Sequence, residues 1–111
     1  MTYTLIIAIY NEERTLSTLL KKLEKLTDNI EIIIIDDGSD DNTHSILNQN
    51  EAFITLRNEF NQGKGASIKK GIRLATNQNI ILMDGDLEVD IDEIPHLINI
   101  FEKNKSDVLV G

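Results

Sequence analysis

The feature that most constrains the fold is the segment 30–35, which is isoleucine at every position except Glu31. β-Branched residues favour strands, and a strand that is apolar on both faces must be covered on both faces. Segment 3–9 is a second run of this kind, and leucines at helical spacing lie between the two runs. These leucines are Leu16, Leu19, Leu20, Leu23 and Leu26. Strands covered on both faces and separated by amphipathic helices predict an α/β fold with a parallel sheet.

The same alternation continues along the 111 residues, a length that accommodates one domain. We predict strands at 3–9, 30–35, 52–56, 79–83 and 107–110, connected by right-handed crossovers. Asn11 is predicted to cap the first helix, with Glu12 and Glu13 in its first turn. Apolar residues mark the helix after the third strand: Ala66, Ile68, Ile72 and Ala75. The chain ends directly after an apolar strand, at Gly111, so we expect a domain truncated at its C-terminus.

A cluster of carboxylates follows the fourth predicted strand. Asp84, Gly85 and Asp86 interrupt an apolar run, and Glu88 follows two residues later. Carboxylates this close repel one another unless a proton or a cation lies between them. Oxygen ligands suit Mg²⁺ or Mn²⁺, and Mg²⁺ is commonly held by one or two carboxylates and by substrate phosphates. The cluster therefore predicts a phosphate ligand bridged by a metal ion.

Three polar loops are expected to meet at one edge of the sheet, because the carboxyl ends of parallel strands lie together and ligands bind there. The loops are 10–12, 36–39 and 84–86. Each has a purely structural explanation, as a helix cap or a turn. All of them together, beside a carboxylate cluster, indicate a binding crevice.

Composition excludes several classes of function. The net charge of −8 argues against a nucleic-acid partner, because phosphate backbones require a basic surface. The absence of cysteine excludes disulfides and cysteine-based zinc sites. No apolar run approaches the ~20 residues of a membrane helix, and no secretory signal is visible. We therefore expect a cytoplasmic protein, with the full-length protein at the cytoplasmic face of a membrane.

Four motifs together resemble the nucleotide-sugar-binding half of family 2 glycosyltransferases, which have the GT-A fold. The resemblance covers essentially the whole chain, and its finer pattern is most similar to the branch of dolichyl-phosphate mannose synthase and related polyprenyl-phosphate sugar transferases. Ile9 stands where the family usually has proline. The motifs are Tyr10-Asn11-Glu12-Glu13, Asp36-Asp37-Gly38-Ser39-Asp40-Asp41, Asn61-Gln62-Gly63-Lys64-Gly65-Ala66 and Asp84-Gly85-Asp86.

The resemblance implies a Rossmann-like sandwich and inverting transfer of a sugar from a UDP- or GDP-linked donor. The acceptor would be a polyprenyl phosphate or a growing glycan. The implied metal ligands, for Mg²⁺ or Mn²⁺, are Asp84, Asp86 and Glu88. The implied substrate-binding residues are Tyr10, Asn11, Glu12, Asp36, Asp37, Gly38, Gly63, Lys64, Asp84 and Gly85. Asp37 would accept a hydrogen bond from the nucleobase, whereas the catalytic base would lie beyond Gly111.

Two other classes of protein compete with this interpretation. Phosphoryl-transfer enzymes with an Asp-x-Asp motif usually carry it after the first strand, whereas here it follows the fourth. Signalling receiver domains have paired acids after strand one, whereas here the pair follows strand two. A calcium loop starting at Asp84 is rejected, because Val89 stands where glycine is required and Pro95 where a bidentate glutamate is required.

Overall fold

The computed structural model describes residues 3–26, 30–85, 91–104 and 108–110. The predicted metal ligands Asp86 and Glu88 lie outside these residues. Strands and helices alternate throughout the described part, and a short 3₁₀ turn at Ile91–Glu93 precedes the last helix. The elements are β1 (Tyr3–Ile9), α1 (Leu16–Glu24), β2 (Ile30–Asp36), α2 (Thr43–Asn48), β3 (Ile54–Arg57), α3 (Lys64–Leu74), β4 (Asn79–Asp84), α4 (Ile94–Asn104) and β5 (Val108–Val110).

All five strands form one parallel sheet in the order β3-β2-β1-β4-β5. The two isoleucine-rich strands, β1 and β2, lie side by side near its centre, as expected for strands covered on both faces. The parallel α/β architecture predicted from the alternating pattern is confirmed. In the described part of the chain, no helix is long and apolar enough to cross a bilayer.

The two faces of the sheet carry unequal apolar clusters. On one face the larger cluster joins alternate residues of β1 and β2, such as Ile7 and Ile34, to the leucines of α1 and to Ile94 at the start of α4. On the other face a smaller cluster is built on Ile6, Ile33 and Ile35. Strict alternation of side chains along a strand explains why neighbouring isoleucines serve different clusters.

Helix α3 covers the smaller cluster through small residues. Its buried positions are Ser67 and Gly71, whereas Ile72 is largely exposed. A Cβ at Gly71 would lie 2.6 Å from Cγ2 of Ile6, so only glycine permits this close approach. Close packing through glycine and serine brings the beginning of α3 directly against the ends of the central strands.

The predicted helix cap at Asn11 is wrong. Helix α1 begins at Leu16, after a turn in which the amides of Thr15 and Leu16 both donate to the carbonyl of Glu12. Asn11 instead has a φ of 52°, a left-handed conformation that asparagine tolerates better than most residues. Residues 10–15 therefore form a six-residue loop between β1 and α1, next to the loop that follows β2.

Candidate functional site

A cleft of about 300 Å³ opens at the carboxyl ends of β1 and β2. Its floor is the end of β1, and its walls come from the loop after β2 and from the segment that enters α3. The lining residues are Ala8, Ile9, Tyr10, Asp37, Asn61, Gly63 and Lys64. This is the edge at which parallel α/β sheets bind ligands.

Asp37 is the most highly connected acid of the cleft. Its side chain is only 4% exposed, and its two oxygens receive hydrogen bonds from three separate groups. Oδ1 accepts from the amide nitrogen of Gln62 and from Nδ2 of Asn58, both at 2.8 Å. Oδ2 accepts from the amide nitrogen of Gly63 at 3.0 Å. The carboxylate thus fixes the backbone of the loop that leads into α3.

These hydrogen bonds keep Asp37 ionised. Burial alone would raise its pKa, but the backbone N–H of Gln62 and the amide of Asn58 outweigh that effect and hold the pKa below its usual value. The site therefore presents a buried negative charge to the cleft near neutral pH.

The loops after β1 and β2 are joined by hydrogen bonds between side chains and backbone. The amide of Asn11 donates to Oγ of Ser39 at 2.9 Å, and Oδ1 of Asn11 accepts from the amide of Asp40 at 3.0 Å. The amide of Glu12 donates to Oγ1 of Thr43 at 3.0 Å. Asn11 and Glu12, both predicted to bind substrate, thus belong to the framework that holds the two loops together.

Asp36 is fully buried behind the cleft. One of its oxygens accepts from the amide of Ser39 at 3.0 Å. The other, Oδ2, has no hydrogen-bond partner among the residues that the structure describes, and it lies 3.9 Å from a ring nitrogen of His44 and from Nε of Arg57. Asp36 therefore stabilises the turn after β2 through its hydrogen bond with the backbone of Ser39, and it does not line the cleft.

Two glycines allow backbone segments to approach closely around the cleft. Gly38 has a φ of 76°, and a Cβ there would lie 2.3 Å from the carbonyl carbon of Phe60. A Cβ at Gly85 would lie 2.3 Å from Cγ2 of Ile9. A side chain at Gly38 would displace the wall at Asn61, and one at Gly85 would displace Ile9 in the floor of the cleft.

Lys64 and Asp84 form an ion pair at the mouth of the cleft. Lys64 is the first residue of α3 and Asp84 the last of β4, and Nζ of the lysine contacts Oδ1 of the aspartate. Both side chains are substantially exposed, at 60% and 49%. A surface ion pair of this kind is weak and exchanges partners readily.

The structure brings four of the predicted binding residues to one cleft: Tyr10, Asp37, Gly63 and Lys64. Asp84 reaches the same cleft through its contact with Lys64. Sequence reasoning assigned no role to Asn58 or Ser67, which are almost completely buried beneath Asp37. In the sequence, only the position of these two residues next to the glycine-rich loop could have indicated a role at the site. An isolated Asn or Ser forms no recognisable motif.

The predicted metal site is described only in part. Within residues 3–26, 30–85, 91–104 and 108–110, no group of three or more potential metal-ligating side chains is found. Asp84 is the described member of the predicted set, and its exposed carboxylate is a suitable oxygen ligand for Mg²⁺ or Mn²⁺. The residue types at 84, 86 and 88 fit such an ion.

Comparison with known proteins gives a consistent assignment. The model of glycosyl transferase family 2 matches residues 4–111. The undecaprenyl-phosphate 4-deoxy-4-formamido-L-arabinose transferase of Yersinia enterocolitica is 34% identical over 110 residues, which cover 90% of this chain and 33% of that protein. The chain spans between 25% and 49% of the length of the curated relatives it matches.

Solved structures share the fold at lower identity. A mannosyltransferase from Pyrobaculum calidifontis, in complex with GDP-Man and Mn²⁺, superposes with a TM-score of 0.76 at 21% identity, covering 89% of this chain and 32% of that one. S. aureus TarS 1-349 in complex with UDP-GlcNAc superposes with a TM-score of 0.78 at 22% identity, covering 96% and 33%. At these identities the likeness establishes the GT-A fold.

Proposed function

Because this chain belongs to glycosyl transferase family 2, we propose that residues 1–111 form the donor-binding part of a glycosyltransferase domain. The donor would be a UDP- or GDP-linked sugar held in the cleft at the end of β1. The observation that carries this proposal is Asp37, a buried and ionised acid that lines the cleft and fixes its loop.

The nucleoside half of the donor is assigned to the inner end of the cleft. An ionised carboxylate only accepts hydrogen bonds, and each of its oxygens can accept about two. Asp37 therefore suits the ring N–H that uracil and guanine both carry, so it does not distinguish the two bases. Tyr10, which is partly exposed, offers its ring to the base or the ribose. Asn61 adds an amide that can donate and accept at the same wall.

The diphosphate half is assigned to the mouth of the cleft, where Lys64 meets Asp84. Asp84, Asp86 and Glu88 would hold Mg²⁺ or Mn²⁺ there. Such an ion, when bound, neutralises the charge that develops on the departing nucleoside diphosphate. Lys64 can exchange its exposed contact with Asp84 for a phosphate oxygen of the donor.

A polyprenyl phosphate is the acceptor we favour. A relative named as an undecaprenyl-phosphate transferase is 34% identical over most of the chain, and the pattern 86–95 resembles the polyprenyl-phosphate branch of the family. The alternative acceptor is a growing glycan.

Calorimetry with UDP and with GDP, each with Mn²⁺ and each with EDTA, tests the proposal. We expect one nucleotide to bind in the micromolar to millimolar range, and we expect EDTA to weaken that binding. Asp86→Ala should abolish the difference between Mn²⁺ and EDTA, whereas Asp40→Ala, in the loop after β2, should preserve it. Equal affinity of the unaltered chain with Mn²⁺ and with EDTA would remove the metal from the proposal, and absence of binding to both nucleotides would overturn it.

A further inference from the structure

A buried polar network lies directly beneath the cleft. Asn58, which is 1% exposed, donates through Nδ2 to Oδ1 of Asp37 at 2.8 Å and to Oγ of Ser67 at 3.0 Å. The oxygen of the same amide accepts from Nζ of Lys70. Both ends of the Asn58 side chain are therefore occupied, and its nitrogen can face only one way.

Helix α3 supplies the other two members of the network. Ser67 and Lys70 are three residues apart and share one face of the helix, the face that packs against the sheet. The neighbouring Lys69 points to solvent instead. A cation on the inner face of α3 is thus connected to a carboxylate at the end of β2 through a single amide.

We propose that Asn58 and Lys70 are positioning residues for the cleft, although neither lines it. Lys70 orients the amide of Asn58, and Asn58 holds Asp37 in the place from which it orders the backbone of Gln62 and Gly63. A hydrogen-bonded cation at the far end polarises the amide and strengthens its donation to the carboxylate. Through this relay the inner face of α3 sets the geometry of the nucleoside end of the cleft.

Within residues 3–26, 30–85, 91–104 and 108–110, the other charged groups near Asp37 do not replace this relay. Lys64 lines the same cleft but contacts Asp84. Asp36, the preceding residue, accepts from Ser39 on the far side of the strand end and faces His44 and Arg57. Removing Lys70 should therefore leave Asp37 less favourably ionised and the loop less fixed.

The test compares Lys70→Met with Lys69→Met, which removes a charge from the next residue of the same helix. The chemical shifts of the backbone amides of Gln62 and Gly63 are followed against pH, since both donate to Asp37 and report its protonation. In Lys70→Met the titration midpoint should move to higher pH, because the ionised form has lost a stabilising contact. In Lys69→Met it should stay where it is in the unaltered chain.

The second readout is nucleotide binding, and this part rests on the proposed function. Lys70→Met should weaken the binding of UDP or GDP roughly three- to tenfold, the effect of one hydrogen bond to a network. It should leave the binding of pyrophosphate unchanged. Lys69→Met should change neither affinity.

The outcomes separate this inference from the function. If the unaltered chain binds neither nucleotide, the proposed function fails while the amide titration still decides the role of Lys70. If Lys70→Met and Lys69→Met titrate alike, the positioning role is overturned. Asn58→Asp gives an independent check, because the aspartate side chain has nearly the same shape as that of asparagine. A second carboxylate beside Asp37 should raise the midpoint of the amide titration further than Lys70→Met does. An unchanged midpoint would also overturn the inference.

Discussion

Asp37 and Asp84 stand at the ends of β2 and β4, the two strands that flank β1, yet their surroundings are opposite. Asp37 is buried and accepts three hydrogen bonds, two from backbone amides of the loop before α3 and one from the side-chain amide of Asn58. Asp84 is half exposed, and its carboxylate contacts the exposed side chain of Lys64. One end of the cleft is therefore built before any ligand arrives, whereas the other has a partner that a ligand can displace.

The difference matches the chemistry that we propose for each end. A buried hydrogen-bonded carboxylate recognises a fixed pattern of donors at low entropic cost, which suits a rigid base. An exposed ion pair contributes little stability and is screened by solvent, which suits a place where a metal ion and a diphosphate have to enter together. We expect substitutions at the two ends to separate recognition from metal binding.

The largest effect is expected for Asp37→Ala. A hydrogen bond to a charged group contributes about 1.5–3 kcal/mol, so affinity for UDP or GDP should fall roughly ten- to a hundredfold, with little loss for pyrophosphate. Calorimetry with both ligands measures this, and Asp84→Ala is the matched variant at the open end. Should Asp37→Ala leave nucleotide affinity unchanged, Asp37 would serve the loop alone and the contrast between the two ends would not concern recognition.

An intermediate effect is expected in the dependence of stability on pH. The pKa of Asp37 is lowered in the folded chain, below the value of 3.8 that applies to the unfolded chain. Its ionised side chain therefore contributes fully to the free energy of unfolding above pH 3.8, and this contribution is lost as pH falls through the folded pKa. Asp37→Asn should therefore flatten the acid limb of stability against pH by at most about 1.4 kcal/mol per pH unit, the slope that one proton gives.

Urea unfolding between pH 2 and pH 6 measures that slope in Asp37→Asn and in the unaltered chain. Some slope should remain in Asp37→Asn, because Glu31 is a second buried acid whose pKa is lowered. Burial opposes its ionisation, but the backbone and hydroxyl of Thr76 and the hydroxyl of Thr4 donate to it. Identical slopes in Asp37→Asn and in the unaltered chain would contradict the role of Asp37 as a buried acid held in its ionised form.

The smallest effect is expected for Lys64→Met. Loss of an exposed ion pair should change the free energy of unfolding by less than about 1 kcal/mol. Without the Lys64 ammonium as a competitor, Asp84 should bind Mn²⁺ roughly two- to fivefold more tightly in the absence of nucleotide. The nucleoside diphosphate, UDP or GDP, should bind more weakly, because a cation at the mouth of the cleft is lost. Calorimetry with Mn²⁺ alone decides the point, and weaker Mn²⁺ binding in the variant would show that Lys64 supports the metal site.

Sequence reasoning was accurate where one residue type carries a strong local preference. The bounds of β1 were predicted without error, and those of β2 to one residue, because runs dominated by apolar and β-branched residues strongly favour strands. It failed at Asn11, where a residue suited to a helix cap instead adopts a left-handed conformation and joins two loops. Capping and loop bridging use the same side-chain chemistry, so composition cannot distinguish them.

The sequence by itself determined the parallel α/β architecture, the edge at which polar loops converge and the family, because periodicity and motif order are local properties of the chain. Only the tertiary structure decided which acids face the cleft. Asp36 and Asp37 are identical neighbours in sequence, yet one lies behind the turn and the other lines the cleft, because successive residues at a strand end point to opposite sides. The connection from Lys70 through Asn58 to Asp37 likewise joins a residue of α3 to the residues that follow β3 and β2, and only packing brings them within hydrogen-bond distance.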